Sequence, residues 1–531
     1  MIFTPVILHV ATTMNLVESF AQRQGRDNGN KVDPDVLELF RTFTVNTFLR
    51  DFLPRCFHIM SFSKWIKTRY HFPVWKIMKY REARKSMTDV SSVLRDPKLL
   101  KKKCFIKREL MLKNVNAPAR TINARAEQIQ IVLSPIICSF TKAIKHSWMN
   151  SYHPSYTSHT QDVIVYTSGL DRLQIGRVVS RILEVGDYTF VGSDFSKYDS
   201  SQVPAIIEME KLYYDHMAPS NDIKDLMGAH VSYGAGLWKT VGRSYVDGGI
   251  MKGEIYGTRS SGDPQTTLCN TILTANLLLF SFISFYGRKV VSDGLKILVC
   301  GDDSLVFLPK PYVFTNRVFK LIEQIGFKMT TEFSNILSDI EYCSAFFIDV
   351  LFKGSTVKYL FPKLGNIFSK SCISSRNYDF RRQCDYASKK AYGLLQETYF
   401  VPDLARYYAS LFINYKRTSH GVKSDDYFRF LKSSSQVECS VTTYHTIATR
   451  YGVSESDLRH FFSNLWISER YYDCSVSRKI ASKDLPSYAQ KELDTFRCFQ
   501  GHGQVGFIDS WTRVLPSCLP NYSSPFARSH N

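Results

Sequence analysis

Along this chain the spacing of apolar positions switches between a period of two and a period near 3.6, and the switches mark out the elements. Residues 35–100 interleave apolar, aromatic and basic positions and predict a mainly helical segment. "CFIKREL" (104–110) predicts a short strand, followed by a polar turn and "APARTINAR" (117–125). "YTFVGSDFSKYDSS" (188–201) predicts a strand running into a polar turn. "PAIIEMEKLYYDHMA" (204–218) has the i, i+3, i+4 spacing of a helix. The polar loop "RSSGDPQT" (259–266) opens an apolar helix over 267–286. In "KILVCGDDSLVFL" (296–308), two β-type runs flank Gly-Asp-Asp-Ser, the pattern of a tight hairpin. A helix over 313–327 and short strands near 341–348 and 357–362 follow. Strands and helices alternating between about 186 and 365 predict a mixed α/β core, and beyond 370 the pattern is mostly helical. There is no internal repeat and no low-complexity tract.

The hairpin raises a question of charge. Asp302 and Asp303 sit side by side in an apolar run that contains no lysine or arginine between Ile297 and Leu308. Adjacent carboxylates repel and are costly to bury unless a cation neutralises them. Asp-Asp is also ordinary turn chemistry, so the pair needs support from elsewhere. A divalent metal held at the tip of a rigid hairpin is the functional alternative.

Composition narrows the choice. A chain of 531 residues with 44% apolar and 14% aromatic content has ample material for large cores and is not disordered. The formal charge of +20 is concentrated. Residues 61–125 carry 18 Lys and Arg against 4 Asp and Glu, a local excess of 18 − 4 = +14 in about one eighth of the chain. That concentration points to a polyanionic partner, nucleic acid or an anionic membrane surface. Twelve scattered cysteines without a C-x-x-C pair argue against structural zinc or a disulfide framework, and fit a reducing compartment. The first 15 residues lack a basic n-region, so no signal peptide is expected. The most apolar stretch, 272–287, is interrupted by Thr, Asn and Ser and predicts a buried core helix rather than a membrane span.

A two-metal site needs carboxylates from different chain segments. Asp194, which follows the strand "YTFVG", is placed at a strand end that can meet the hairpin tip, although 108 residues separate it from Asp302. Asp199, five residues on, can face the same cleft and accept a hydrogen bond from a sugar hydroxyl. Ser261, Thr266 and Asn270 supply small polar groups, the last two one helical turn apart, and Gly262 gives the backbone freedom to approach a ligand. Helix capping is the alternative role for Ser261 and Thr266.

Taken together, "DFSKYD", "SGDPQTTLCN" and "CGDD", in that order, resemble motifs A, B and C of the RNA-dependent RNA polymerases of positive-strand RNA viruses, most of all the tombusvirus- and nodavirus-like groups. "FIKREL…APARTIN" resembles motif F, whose basic residues grip the incoming triphosphate; Lys107, Lys113 and Arg120 match it, with Arg108 as a further candidate. "LIEQIGFKMTTE" resembles motif D and makes Lys328 a candidate general acid for the leaving pyrophosphate. "EYCSAFF" (341–347) resembles motif E, with Tyr342 where the family more often has Phe.

The resemblance implies an α+β right-hand polymerase of fingers, palm and thumb, with an antiparallel-sheet palm flanked by helices. The implied divisions are 1–185 for an N-terminal extension and fingers, 186–215 for palm, 216–254 for a fingers insertion, 255–370 for palm, and 371–531 for thumb and C-terminal region. It implies that Asp194 and Asp302, with Asp303 beside them, hold two Mg²⁺ ions, Mn²⁺ being the alternative. Asp199, Ser261 and Asn270 would check the sugar. It further implies RNA template, nascent strand and NTPs as partners. Work in the host cytoplasm at membrane-associated replication complexes, with a viral or host protein for recruitment, is also expected. Two other readings stay open. A reverse transcriptase would use dNTPs, although Asp199 and the Cys-Gly-Asp-Asp hairpin favour ribonucleotides. A catalytically silent RNA-binding protein would lose no synthesis on Asp302→Asn.

Overall fold

The computed structural model describes residues 11–25, 32–87, 89–107, 118–149, 163–370, 380–415, 437–465 and 474–485. Arg108 and Lys113 lie outside these residues. The strands are β1 (Lys102–Ile106), β2 (Thr121–Ala124), β3 (Ile164–Tyr166), β4 (Tyr188–Ser196), β5 (Leu237–Arg243), β6 (Ile250–Tyr256), β7 (Lys296–Cys300), β8 (Asp303–Pro309), β9 (Lys328–Ser334), β10 (Ala345–Phe352), β11 (Ser355–Pro362) and β12 (Val437–Glu438). Together with the helices they form a mixed α+β structure.

The central sheet has the order β3-β7-β8-β4-β9, antiparallel except for β3 beside β7. Its middle strands are apolar on both faces because both faces are covered. Ile297, Val299, Val306 and Leu308 join a core with the helix Thr266–Tyr286. The alternate residues Leu298, Leu305 and Phe307 pack instead with Ile175, Val178 and Ile182 of the helix Arg172–Val185. Sheet period two against helix period 3.6 thus builds a three-layer sandwich.

The helix Thr266–Tyr286 is apolar all round because it is surrounded. By length and composition it could cross a membrane, yet 83% of its most apolar window is buried in protein. It is a core helix.

Two smaller sheets flank the sandwich. In β11-β10-β12, Phe347 and Leu360 face the core of Leu298 and Phe307. Phe346, Ile348 and Phe361 face a second core with the helices Phe380–Thr398, Pro402–Tyr415, Thr443–Tyr451 and Glu455–Asn464. The third sheet, β2-β1-β5-β6, buries Cys104, Ile106 and Met251 beneath Leu16 of the helix Thr13–Phe20.

Three elements differ from their sequence expectation. The strand expected to stop before Asp194 runs on to Ser196, because β9 pairs with it as far as Ser196↔Lys328. The single helix expected over 313–327 is a 3₁₀ turn, Asn316–Phe319, capped by Thr315 and followed by the short helix Lys320–Gln324. Within 216–254, where no strand was expected, β5 and most of β6 form a hairpin.

Candidate active site

The hairpin of β7 and β8 closes with Cys300 paired to Asp303, leaving Gly301 and Asp302 as a two-residue turn. Gly301 has φ +69°, the left-handed region glycine enters freely at the first turn position. Its N–H donates to the Thr271 hydroxyl (2.9 Å), which ties the tip to the apolar helix. Asp302 therefore sits in the turn itself, and Asp303 begins the strand.

Strand β4 brings the third acid. Ser193 pairs with Ser304, and their hydroxyls bond each other. That pair ends the β4–β8 ladder; Asp194 is the next residue of β4 and Asp303 the residue before Ser304 on β8, and the Asp194 charge acts on the Asp303 carboxyl. Asp194 is exposed, while Asp302 and Asp303 are half-buried.

The three carboxylates act on one another's titration. Burial, and then the charges of Asp199 and Asp194, push the Asp302 carboxyl up; the positive charge of Arg120 opposes them. Asp303 is pushed up to about 7, first by burial and then by Asp302 and Asp194, against a hydrogen bond from the Cys343 thiol. Acids that raise one another's pKa are a poised cation site.

After β4 the chain turns at Lys197 (φ +53°) into the helical turn Tyr198–Ser201, which carries Asp199. Both oxygens of Asp199 are held. The Ser261 hydroxyl donates to Oδ2, and Asn270 Nδ2 donates to Oδ1 at 3.1 Å. Asn270 is oriented in turn by Gln202 Nε2 (3.0 Å), and Gln202 by Arg259 Nε (3.0 Å). Thr266 does not cap the helix through an N–H; its hydroxyl donates to the carbonyls of Ser260 (2.9 Å) and Asp263 (3.0 Å) and closes the loop. Gly262, at φ +120°, lies so close to β2 that an added Cβ would meet the Asn123 carbonyl oxygen at 2.9 Å.

The cations approach from the third sheet. Lys107 N–H donates to the Arg120 carbonyl (2.7 Å), so the two residues share one end of the β1–β2 hairpin. Both are exposed, and Arg120 acts on Asp302. Lys328, also exposed, pairs with Ser196 and lies on the same face as Asp194, two residues along β4. Tyr342 is buried behind the hairpin, its hydroxyl 2.5 Å from that of Thr167.

Sequence reading missed the residues behind this front: Gln202, Arg259 and Glu210, Thr271, and the buried group of Lys102, Arg125 and Asp263. One signal was available. Alternation in "KKCFI" puts Lys102 on the inner side with Cys104 and Ile106, and an inward lysine demands a buried partner.

Among the described residues no three acidic, histidine or cysteine side chains form a ready-made metal cage. Mg²⁺ does not require one. It keeps several waters and is held by one or two carboxylates together with substrate phosphates. The donor set of Asp194, Asp302 and Asp303 is all oxygen, as a hard cation prefers, so the residues fit the ion. A pH test follows. The folded Asp303 carboxyl titrates near 7, above the roughly 3.9 of an unfolded aspartate. The stability it contributes is complete below about pH 4 and is lost as pH rises through 7. Mg²⁺ competes with that proton, so it should raise the melting temperature more at pH 8 than at pH 6, measured by scanning calorimetry. An equal rise at both would contradict the assignment.

Comparison with known proteins agrees with the geometry. Residues 30–358 match the family described as RNA dependent RNA polymerase. The chain is 26% identical over 251 residues to the "Replicase large subunit" of Youcai mosaic virus, covering 47% of this chain and 14% of that protein. It is 25% identical over 308 residues to the "RNA-directed RNA polymerase" of Tobacco necrosis virus (strain A), covering 56% and 38%. The aligned segments are thus well under half of either relative. With a family match over more than half its length, three acids gathered at one sheet end, and cations at the same mouth, this chain belongs to the RNA dependent RNA polymerase family.

Proposed function

We propose that this protein copies an RNA template into RNA from NTPs, as the replicating enzyme of a positive-strand RNA virus. The observation that carries this is the placement of Asp302 and Asp303 at the tip of the β7–β8 hairpin beside β4, which carries Asp194, with Arg120 at the end of the β1–β2 hairpin. In the right-hand reading, residues 186–215 and 255–370 are palm, 1–185 and 216–254 are fingers, and 371–531 are thumb. The central sheet and its two covering layers of helix support the palm; the β2-β1-β5-β6 sheet supports the fingers.

Asp194 and Asp302, with Asp303 beside them, would hold two Mg²⁺ ions. Bound there, the ions supply charge neutralisation and a lowered pKa at the attacking hydroxyl. Lys107 and Arg120 orient the triphosphate from the mouth of the site. Asp199, its carboxylate fixed by Ser261 and Asn270, accepts a hydrogen bond from the ribose 2′-hydroxyl. The RNA 3′-hydroxyl would give its proton to solvent, its oxygen would form a bond to the α-phosphorus as the bond to pyrophosphate breaks, and Lys328 would donate a proton to the departing oxygen. Primer extension on an RNA template with NTPs or dNTPs tests this. NTPs should be strongly preferred, and Asn270→Ala should narrow the preference. Equal use of dNTPs by the wild-type chain would point to a reverse transcriptase.

The sheet also offers RNA a path. Ladder register puts Lys103, Phe105 and Lys107 of the β1 segment on one face with Lys239, Val241 and Arg243 of β5 and Ile250, Lys252, Glu254 and Tyr256 of β6, Glu254 being paired with Lys239 at 2.7 Å. That face is largely open, with Phe105 46% and Tyr256 70% exposed. Cations with interspersed rings suit single-stranded RNA, charge tracking the backbone and rings stacking on bases. Replacing Lys103 and Lys252 by Ala should reduce the slope of log affinity against log salt by about 1.4, near 0.7 per lost contact. An unchanged slope would remove this face from the path.

A further inference from the structure

The loop from Gly257 to Gln265, between β6 and the apolar helix, is held in a backbone conformation that its residues resist. Gly257, Thr258 and Gly262 have φ of +56°, +123° and +120°. Glycine tolerates this, but Thr258 is β-branched and strained there. Such strain persists only where the surroundings over-determine the backbone.

Two buried ion pairs do so. Arg259 pairs with Glu210 of the helix Pro204–Met217, both side chains at most 4% exposed. Four residues on, Asp263 accepts a two-pronged contact from Arg125, Nε at 2.6 Å and Nη2 at 3.1 Å, and lies 3.4 Å from Lys102 Nζ. Side chains of Asp263, Arg125 and Lys102 are at most 4% exposed. Lys102 Nζ also stands 3.8 Å from the Trp238 ring centre, and the Arg125 guanidinium 4.5 Å from that of Tyr233. A cavity of about 10 Å³ lies between the pairs. The Thr258 and Ser260 hydroxyls are buried there without a protein partner, and one water would fit.

What the pairs flank is the hydroxyl that meets Asp199. Ser261 is two residues from each anchor, and the Arg259 N–H donates to the Asp199 carbonyl (2.9 Å). Arg125 directly follows β2, and Arg120 directly precedes it, so Asp263 joins the triphosphate side of the site to its sugar side. We propose that Asp263, gripped by Arg125, is a positioning residue for sugar selection: it clamps the strained loop so that Ser261 holds Asp199 ready for the ribose 2′-hydroxyl. This rests on the function proposed above.

The test is single-turnover incorporation of a correct NTP and of the matching 2′-dNTP by the full chain and by Asp263→Asn. The variant should lower the NTP-to-dNTP ratio roughly tenfold, about one hydrogen bond's worth of discrimination, chiefly by loss with the NTP. A merely structural role would lower both rates in parallel, and an unchanged ratio overturns the proposal. Should Asp263→Asn fail to fold, Arg125→Lys keeps the charge without the fork. It should give a smaller fall in the ratio, and an unchanged ratio there overturns the proposal equally. A wild-type chain that incorporates neither nucleotide overturns the polymerase reading itself and this inference with it.

Discussion

Asp302→Asn should reduce RNA synthesis by about 10³-fold or more while leaving RNA affinity within about twofold. The substitution keeps the side chain's shape and removes the charge that, on the function proposed above, would act where phosphate oxygens and the attacking hydroxyl gather. A donor aimed at the transition state is worth about 10²–10³ in rate, and a carboxylate that would help hold the catalytic ions should be worth at least as much. On the function proposed above, RNA affinity would reside in cations elsewhere, on Lys103, Lys239, Arg243 and Lys252. Filter binding and primer extension on the same preparation separate the two effects. Synthesis at the wild-type rate would mean that the acids at the hairpin do no metal chemistry. Binding lost together with synthesis would mean that Asp302 shapes the RNA groove.

Gly262→Ala should cost synthesis about 10²-fold, although it removes no chemical group. At φ +120° an alanine is strained by about 1–3 kcal/mol. Its Cβ would also meet the Asn123 carbonyl oxygen and Ile122 Cγ2, each at 2.9 Å. The Asn123 carbonyl is backbone and cannot retreat cheaply. Asn123 N–H already donates to the Ser261 carbonyl (2.8 Å), and its side chain bonds Thr240 (2.9 Å). The loop has to move instead, carrying Ser261 away from Asp199. Displacement by about 1 Å can cost about 10² in rate, so a loss of that order is expected with the fold intact, as far-ultraviolet circular dichroism would show. Wild-type activity would mean that the loop's seat against β2 is irrelevant to catalysis.

How much of this could be read beforehand depended on range. The β7–β8 hairpin was legible because its alternation, glycine and acids are local. The apolar helix was legible because its composition demands burial. Asp194, Asp199, Ser261 and Asn270 were legible as a set because their motif spacing is local, although their meeting point is not. The run of β4 past Asp194 was invisible, since it depends on pairing with β9, a strand with exposed Lys328, Glu332 and Phe333 and no clear alternation. The β5–β6 hairpin was missed for a related reason: its outward Lys239, Arg243, Lys252 and Glu254 mask the inward Trp238, Met251 and Ile255. The buried charges were least legible. Lys102, Arg125 and Asp263 are 138 and 161 residues from their partners, and nothing local distinguishes a buried ion pair from a solvated one.

The most direct measurement is an anomalous difference map from crystals of the full chain soaked with Mn²⁺ and a non-hydrolysable NTP. Manganese peaks in contact with both the β4 acid and the turn acid, beside the bound phosphates, are the predicted result. Carboxylates pointing away from one another, with nucleotide bound and manganese elsewhere, would contradict the idea that distant parts of the chain are folded together to hold shared ions.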